Sequence, residues 1–212
     1  MCSSDLFVDA QLVWGSPASL TSDIALADLD GDGDLDLVEA NAGVEAFFNL
    51  SDLGSLAFDT AVSISQLADV SALELADLDN DGNVDVVVGA YGGADTYYAN
   101  NGDGTFNLNG QPLSGDMYQT TDLAVGDVNG DGFADVVAVN DDNRSRVYPN
   151  DGTGLFSVGL DVNVAGGLSS VSTAVALADF DGDGTLDVAE ANDGVISPVY
   201  FGYAFSHQGY TD

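Results

Sequence analysis

Aspartates recur along this 212-residue chain in four short loops that share one spacing. Each loop has oxygen-bearing side chains at positions 1, 3, 5 and 9 and a glycine at position 6, and the loops cover residues 28–36, 77–85, 127–135 and 179–187. Calcium takes about six to eight oxygen ligands, and a loop that bends at a glycine can bring alternate side chains around one point. The pattern therefore predicts one calcium site per loop, about four Ca²⁺ ions in all.

The predicted ligands are the side chains at positions 1, 3, 5 and 9, together with the backbone carbonyl at position 7. They are Asp28, Asp30, Asp32, Asp34 and Asp36; Asp77, Asp79, Asp81, Asn83 and Asp85; Asp127, Asn129, Asp131, Phe133 and Asp135; and Asp179, Asp181, Asp183, Thr185 and Asp187. Asn129 stands where the other loops have aspartate, which removes a charge and keeps an oxygen. We expect the third site to bind calcium most weakly.

The loops lie about 50 residues apart, an interval typical of arrays of supersecondary units. Phenylalanines recur at the same interval: Phe7, Phe58, Phe106, Phe156 and Phe205. We predict an all-β chain over residues 7–212, a β-propeller of about four four-stranded antiparallel blades, each with a calcium-binding hairpin loop. The blades would form a small closed ring or an arc of a larger propeller, and residues 1–6 are expected to be a non-native or disordered head.

The strands on both sides of each loop are predicted to be buried on both faces. In the first unit they are Ile24–Leu29 and Leu35–Ala40, both apolar on alternating sides apart from the loop aspartate and an occasional polar residue. Such strands fit a small sheet that is sandwiched between neighbouring sheets. A half-exposed third strand, Val44–Asn49 in this unit, would follow. The next phenylalanine would open a fourth strand.

The charge balance excludes some partners. The chain has 36 acidic residues and two basic ones, for a formal net charge of -34. A surface of that charge repels phosphate backbones, so we expect no nucleic-acid binding. No apolar run reaches the roughly 18 residues of a membrane span, so we expect no membrane insertion. The two basic residues, Arg144 and Arg146, are expected to pair with Asp141 and Asp142 on a turn and to have no functional role.

Other interpretations of the loops and the chain are weaker. An EF-hand needs flanking helices and a glutamate at position 12, and Glu39 and Glu190 satisfy that spacing, but valine-rich strands flank the loops. Solvated turns without a metal are the second alternative. We predict no enzyme, because the metal loops use the carboxylates and the single histidine, His207, follows the last repeat.

These loops resemble the FG-GAP and VCBS repeats of integrin-α-like β-propellers, in which an Asp-x-Asp-x-Asp-Gly-x-x-Asp hairpin holds calcium. The turn at 102–106 is similar to the bacterial form, whereas the Gly-Ala-Pro element of integrins remains only as Gly89, Ala90 and Tyr91. The resemblance therefore favours the bacterial VCBS-like type.

The resemblance implies a calcium-binding module for adhesion or ligand binding, with calcium in a structural role. It also implies an extracellular or cell-surface location, although residues 1–7 lack the features of a secretory signal. The partner would be an extracellular protein or a glycan, and the chain would be part of a larger one. The alternatives are a carbohydrate-binding lectin-like propeller, suggested by tyrosines such as Tyr91, Tyr97 and Tyr118, and the non-catalytic propeller of a secreted hydrolase or lyase.

Overall fold

The computed structural model describes residues 20–50, 57–141, 145–162, 171–194 and 197–202. Within them the secondary structure is all β-strand, bridge and turn, so the predicted all-β class is confirmed. No helix in this part of the chain is long and apolar enough to cross a membrane. The expected head at 1–6 and several residues named above lie outside the described residues, namely Phe7, Asp142, Arg144, Phe205 and His207.

The strands fall into four consecutive repeats. Repeat 1 contains β1 (Asp23–Ala27), β2 (Asp36–Ala40), β3 (Val44–Phe47) and β4 (Val62–Ser65), and repeat 2 contains β5 (Val70–Ala76), β6 (Asp85–Gly93), β7 (Thr96–Tyr98) and β8 (Gln111–Pro112). Repeat 3 contains β9 (Tyr118–Gly126), β10 (Asp135–Asn140), β11 (Arg146–Tyr148) and β12 (Leu160–Asp161), and repeat 4 contains β13 (Val171–Ala178), β14 (Asp187–Asp193) and β15 (Val199–Tyr200).

Each repeat is an antiparallel sheet in chain order. Repeat 1 forms the sheet β1-β2-β3-β4, and repeat 4 forms β13-β14-β15. Repeats 2 and 3 join into one eight-stranded sheet, because the end of β6 pairs with the start of β9 at Tyr91 and Gln119. The acidic loop of every repeat lies between the first and second strands, as predicted.

The strand ends differ from the predictions for local reasons. The first strand of repeat 1 ends at Ala27, before the predicted Leu29, because the Leu29 N–H leaves the sheet and donates to Asp36 at 2.8 Å. Phe106 forms only an isolated bridge to Asn100, and a turn at 107–110 separates it from β8. The third strands of repeats 1 to 3 are mostly buried and not half exposed, whereas β15 of repeat 4 is exposed at Val199.

The hydrophobic core lies between successive repeats. One cluster joins Leu29 and Val38 of repeat 1 to Leu73 of repeat 2, and equivalent clusters lie between repeats 2 and 3 and between repeats 3 and 4. The first strands β1, β5, β9 and β13 contact one another in that order. Each interior sheet is therefore buried on both sides, as the two-faced apolar strands predicted.

Candidate metal centres

The position 1 aspartate organises each loop by accepting backbone hydrogen bonds. In loop one, Asp28 accepts from the Gly31 N–H at 2.8 Å and from the Gly33 N–H at 3.0 Å. Gly33 has φ 94°, and the position 6 glycines of the other loops lie within two degrees of it. A Cβ on Gly33 would meet no atom within 4 Å, so this site needs glycine for its backbone conformation and not for space.

Positions 3 and 5 each close a short turn on the residue two places later. Asp30 accepts from the Asp32 N–H at 3.2 Å, and Asp32 accepts from the Asp34 N–H at 2.9 Å. Each of these bonds uses one carboxylate oxygen, and the second oxygen remains available to a ligand. At position 7 the structure thus places the backbone N–H of Asp34 against the position 5 carboxylate. The role of its carbonyl as a calcium ligand stays a prediction.

The position 9 aspartate is fully buried in all four loops and ties the loop to the third strand. Asp85 accepts from the Leu78 N–H at 2.9 Å and from the Asn100 N–H at 2.8 Å. Burial raises the pKa of Asp85 to about 6, and the Asp79 and Asp81 charges add to the rise, while the two backbone donors oppose it. The same two contacts recur in the other repeats, at Asp36, Asp135 and Asp187.

Three of the four loops bring carboxylates together. In each of them one oxygen from each of three aspartates lies within 4.8 Å of the others; the groups are Asp28, Asp30 and Asp32; Asp77, Asp79 and Asp85; and Asp179, Asp181 and Asp187. Such a set of hard oxygen donors suits calcium. Three of the predicted side-chain ligands of these loops, Asp36, Asp81 and Asp183, are not members of the groups.

Loop two contains an oxygen that lacks a hydrogen bond within the described structure. Asp77 Oδ1 is buried and has no hydrogen-bond partner there. The Tyr97 hydroxyl lies beside the same group, 3.2 Å from Asp79 Oδ2 and 3.3 Å from Asp85 Oδ2. A buried acceptor without a donor is costly, and a cation would satisfy it. The residues of loop two therefore fit a bound calcium ion.

Loop three has an internal donor where the others have a third carboxylate. The Asn129 side-chain amide donates to Asp131 Oδ2 at 3.0 Å and to Asp135 Oδ1 at 3.4 Å. In the described residues this loop does not form a group of three acidic ligands. Asp127 still holds the loop through the Gly132 N–H at 2.9 Å. The loop thus keeps the common backbone conformation, and its side chains form hydrogen bonds with one another.

The glutamates that fit the EF-hand spacing do not face the loops. Glu39 lies in β2 and accepts from the Thr21 hydroxyl, and Glu190 lies in β14 and accepts from the Ser172 hydroxyl at 3.1 Å. Both are buried, and strands flank every described loop. The EF-hand alternative is therefore wrong for this chain.

Sequence reasoning missed a set of asparagines that link neighbouring repeats. The Asn100 amide donates to the Leu29 carbonyl of repeat 1 at 2.9 Å, and the Asn150 amide donates to the Leu78 carbonyl of repeat 2 at 2.7 Å. Each asparagine therefore holds the start of the preceding acidic loop. The recurrence of asparagine just after the third strand of repeats 1 to 3, at Asn49, Asn100 and Asn150, was a visible signal.

The environment of Arg146 corrects the expected ion pairs. Arg146 pairs with Asp161 at 2.9 Å and with Asp116 at 3.2 Å, and its guanidinium lies 5.0 Å from the centre of the Tyr118 ring. Asp141 instead accepts from the Tyr91 hydroxyl at 2.7 Å. The expected pairing of Arg146 with Asp141 is wrong, because β11 places Arg146 opposite Asp161 of the neighbouring strand β12 and within reach of Asp116, which precedes β9.

The fold and the loops define an all-β repeat protein with acidic hairpin loops. A family model described as FG-GAP-like repeat matches residues 28–88, 77–138 and 127–189. The matches together span more than half of the chain, and the chain belongs to this repeat family, as its resemblance predicted. No protein of curated function matches the chain significantly.

Solved structures with a similar fold come from several kinds of protein. An Agrocybe aegerita lectin that recognises non-reducing terminal N-acetylglucosamine is 23% identical, with a TM-score of 0.54 over 86% of this chain and 52% of that chain. BBS1N, solved in complex with ARL6DN, is 13% identical, with a TM-score of 0.52 over 85% of this chain and 56% of that chain. The V. cholerae biofilm matrix protein Bap1 is 22% identical, with a TM-score of 0.48 over 79% of this chain and 23% of that chain. The chain thus spans about half the length of the first two, and the likeness concerns the fold.

Proposed function

We propose that this chain is a calcium-binding module for adhesion or ligand binding, in which the metal has a structural role. The observation that carries the proposal is the convergence of three carboxylates in loops one, two and four, together with the buried and unpaired Asp77 Oδ1. In this proposal the loops hold about four ions, with the weakest in loop three. The four repeats are blades of a β-propeller or of an arc of one.

The structural role follows from charge. Three carboxylates held within 4.8 Å repel one another, and the whole chain has a formal net charge of -34. A divalent cation in a loop offsets two of those charges, and any ligand that binds only the folded state raises its stability. Because loops one and two also contact the asparagine-bearing turns of the next repeat, metal binding would stabilise the junctions between repeats as well.

The proposed setting is outside the cell, as part of a larger protein. Weak calcium sites, with dissociation constants of about 10⁻⁴ to 10⁻³ M, are adequate there. The module would bind a protein or a glycan and have no catalytic role of its own. A glycan-binding function is the second candidate, and the lectin fold neighbour and the half-exposed Tyr91, 45% exposed, favour it.

Thermal unfolding in calcium and in chelator, combined with metal stoichiometry, tests the metal proposal. We expect close to four calcium ions per chain and a large fall in melting temperature on chelation. Asp79→Asn should reduce both the stoichiometry and the effect of calcium. Asp59→Asn, which changes an exposed carboxylate outside the loops, is the matched control. An unfolding curve that is the same in calcium and in chelator would remove the structural role.

A glycan array with and without calcium separates the two binding candidates. Binding to a defined class of glycans would favour the lectin-like function, and loss of that binding in chelator would link it to the loops. A calcium-loaded, folded protein that binds no glycan would leave adhesion to protein as the proposed activity.

A further inference from the structure

The junction between repeats 1 and 2 contains an open recess. Its volume is about 420 Å³, which lies within the range of about 300–1,000 Å³ that is typical of ligand pockets. Repeat 1 contributes β4 and the segment after it, and repeat 2 contributes β7 and the turn before β8. Six of the seven lining residues carry the argument below: Ser63, Ser65, Gln66, Leu67, Tyr98 and Leu108.

The recess is neutral, although the chain is strongly acidic. None of its seven lining residues carries a charge, whereas 36 of the 212 residues of the chain are acidic. Glu45 lines an adjoining recess, where its carboxylate accepts from the Asn41 amide at 3.2 Å. A cation would find no carboxylate in the lining, and the formal net charge of -34 disfavours an anion. The ligand that suits this lining is therefore uncharged.

The lining combines hydrogen-bonding groups with aliphatic surface. Ser63 and Gln66 are exposed, and their hydroxyl and amide groups can both donate and accept. Leu108, which repeat 2 contributes, is 63% exposed. A pyranose ring has the same two properties, because hydroxyl groups surround a ring whose faces present C–H groups. A few polar groups set in apolar surface are typical of a ligand pocket.

Contacts across the junction hold one wall of the recess in place. The hydroxyls of Ser65 and Tyr98 lie 2.8 Å apart, and both residues are buried. Gly110, with φ 53°, lies against the Tyr98 ring, and an added Cβ would come within 2.7 Å of a ring carbon. The ring thus has a fixed position before any ligand arrives, which lowers the ordering cost of binding.

The junction of repeats 2 and 3 has an equivalent frame. In repeat 3 the ring of Tyr148 lies against Gly159, and a Cβ added to Gly159 would come within 2.6 Å of that ring. A side-chain hydrogen bond joins Tyr148 to Ser114 of the preceding repeat, as Tyr98 is joined to Ser65. The two junctions therefore differ in what lies within the frame and not in the frame itself.

An arginine spans the frame at the second junction. Arg146 donates to the Gly159 carbonyl at 2.7 Å and pairs with Asp116 at 3.2 Å, so it bridges the turn before β12 and the segment before β9. At the matching place in repeat 2, Thr96 pairs with β8 as Arg146 pairs with β12. The Thr96 hydroxyl instead donates to the Ala94 carbonyl at 2.9 Å. Threonine is too short to bridge the two segments, and the recess between repeats 1 and 2 stays open.

We propose that this recess binds one neutral saccharide unit, a single pyranose ring. Ser63 and Gln66 form hydrogen bonds with the ring hydroxyls, and Leu108 contacts a C–H face of the ring. The inference rests on the glycan-binding candidate of the proposed function, to which it adds a site and a class of ligand. The matching space between repeats 2 and 3 takes no saccharide, because Arg146 occupies it.

Calorimetric titration of the whole calcium-loaded chain with methyl glycosides of glucose, galactose and N-acetylglucosamine tests the proposal. We expect one site per chain for at least one of them, with a Kd of about 1 mM, as suits a ligand of this size. Gln66→Ala removes an exposed amide from the recess and should weaken binding about fivefold to tenfold. Gln119→Ala removes an exposed amide of β9 outside the recess and should leave binding unchanged.

A second variant copies the arrangement of repeat 3 into repeat 2. Gln66 and Asp116 lie 50 residues apart, each before the first strand of its following repeat. Thr96→Arg combined with Gln66→Asp should therefore place an ion pair across the recess and abolish saccharide binding. Circular dichroism and thermal unfolding should show that the variants keep the fold.

Methyl NMR on the wild-type chain locates the ligand without any substitution. Added glycoside should shift the methyl signals of Leu67 and Leu108. It should leave those of Val158 unchanged, because Val158 follows Phe156 as Leu108 follows Phe106 but lies at the junction that holds Arg146.

The outcomes separate the site from the function. Binding of a glycoside or an array glycan that shifts neither Leu67 nor Leu108, or that the double variant leaves unchanged, would overturn the proposed site and leave the glycan-binding function standing. A wild-type chain that binds none of the glycosides and no array glycan would overturn both.

Discussion

Loops two and three share a backbone but differ in what faces their carboxylates. In both loops the position 9 aspartate, Asp85 or Asp135, accepts two backbone hydrogen bonds and is fully buried. In loop two the Tyr97 hydroxyl lies within hydrogen-bond distance of both this carboxylate and that of Asp79. Loop three adds Asn129, whose amide donates to both neighbouring carboxylates.

The difference shows two ways to hold the same turn. An amide N–H in loop three supplies the positive end of a dipole to Asp131 and Asp135 without any ion. In loop two the Gly82 N–H donates to Asp77 Oδ2, but the buried Asp77 Oδ1 has no donor in the described structure, so the carboxylates there need a cation for full compensation. We therefore expect the stability of loop two to depend on calcium more strongly than that of loop three.

The largest effect should come from removing the position 9 carboxylate, and it should be the same in both loops. Asp85→Ala and Asp135→Ala each leave two buried N–H groups without an acceptor. We expect each to lower the free energy of unfolding by about 2–4 kcal/mol in calcium-free buffer, measured by urea unfolding. Asp59→Ala, at an exposed position, is the control. A large loss in one loop and none in the other would show that the backbone anchors are not equivalent.

A buried acid at the junction of repeats 2 and 3 should have the next largest effect. Asp95 is 5% exposed and accepts from the Ala90 N–H at 3.0 Å and from the Thr120 hydroxyl at 2.8 Å. Burial raises the pKa of Asp95 from 3.8 to about 6, against the two hydrogen bonds. Folding therefore takes up a proton between about pH 4 and 6, and this group lowers stability as the pH rises through that window.

The variant Asp95→Asn tests that junction. We expect it to raise the free energy of unfolding at pH 7 by about 1–2 kcal/mol, and the gain should fall as the pH is lowered and vanish near pH 2–3, where the wild-type carboxyl is protonated in both states. The measurement is urea unfolding across this pH range in chelator. If the gain were equal at both pH values, the effect would not come from the Asp95 charge.

The sequence predicted the repeat, the all-β class and the family, because each depends on residue spacing. It also predicted that position 6 needs glycine and that the flanking strands are buried on both faces. It predicted that Asn129 would offer an oxygen, whereas in the structure the Asn129 NH₂ group donates to neighbouring carboxylates. The sequence does not predict this, because an asparagine side chain presents either its carbonyl oxygen or its NH₂ group according to its surroundings. It also missed the links of Asn100 and Asn150 to the preceding loops, since these contacts join residues about 70 positions apart.

Exchanging the position 3 residues should exchange the calcium behaviour of the two loops. Asn129→Asp restores a third carboxylate, and we expect about tenfold tighter calcium binding at loop three, equivalent to about 1.4 kcal/mol. The same variant should lower stability in chelator, because it removes the amide donor. Asp79→Asn should weaken binding at loop two by a similar factor. Isothermal titration calorimetry measures both, and unchanged affinities in both variants would contradict the assigned ligand sets.

The smallest effect should come from Tyr97 of β7. Its hydroxyl lies beside loop two, and no tyrosine stands at the matching position beside loop three. At the matching position repeat 3 has Val147, which lies in the core between repeats 3 and 4. Tyr97→Phe removes a hydroxyl that contacts Asp79 and Asp85, and the loss should be about 0.5–1.5 kcal/mol in chelator. In saturating calcium the loss should be smaller, because the ion compensates the same carboxylates.

Terbium, which binds to oxygen ligands of the calcium type, gives this last comparison a direct optical measurement. Excited tyrosine transfers energy to a nearby terbium ion, so a tyrosine beside loop two should sensitise emission from an ion bound there. Tyr97→Phe should therefore remove a large part of the sensitised emission. Tyr91→Phe is the matched control, because its hydroxyl also contacts an aspartate, Asp141, but one outside the loops. Equal emission from Tyr97→Phe and the control would mean that no ion lies beside Tyr97, and the contrast between loops two and three would then not be one of metal binding.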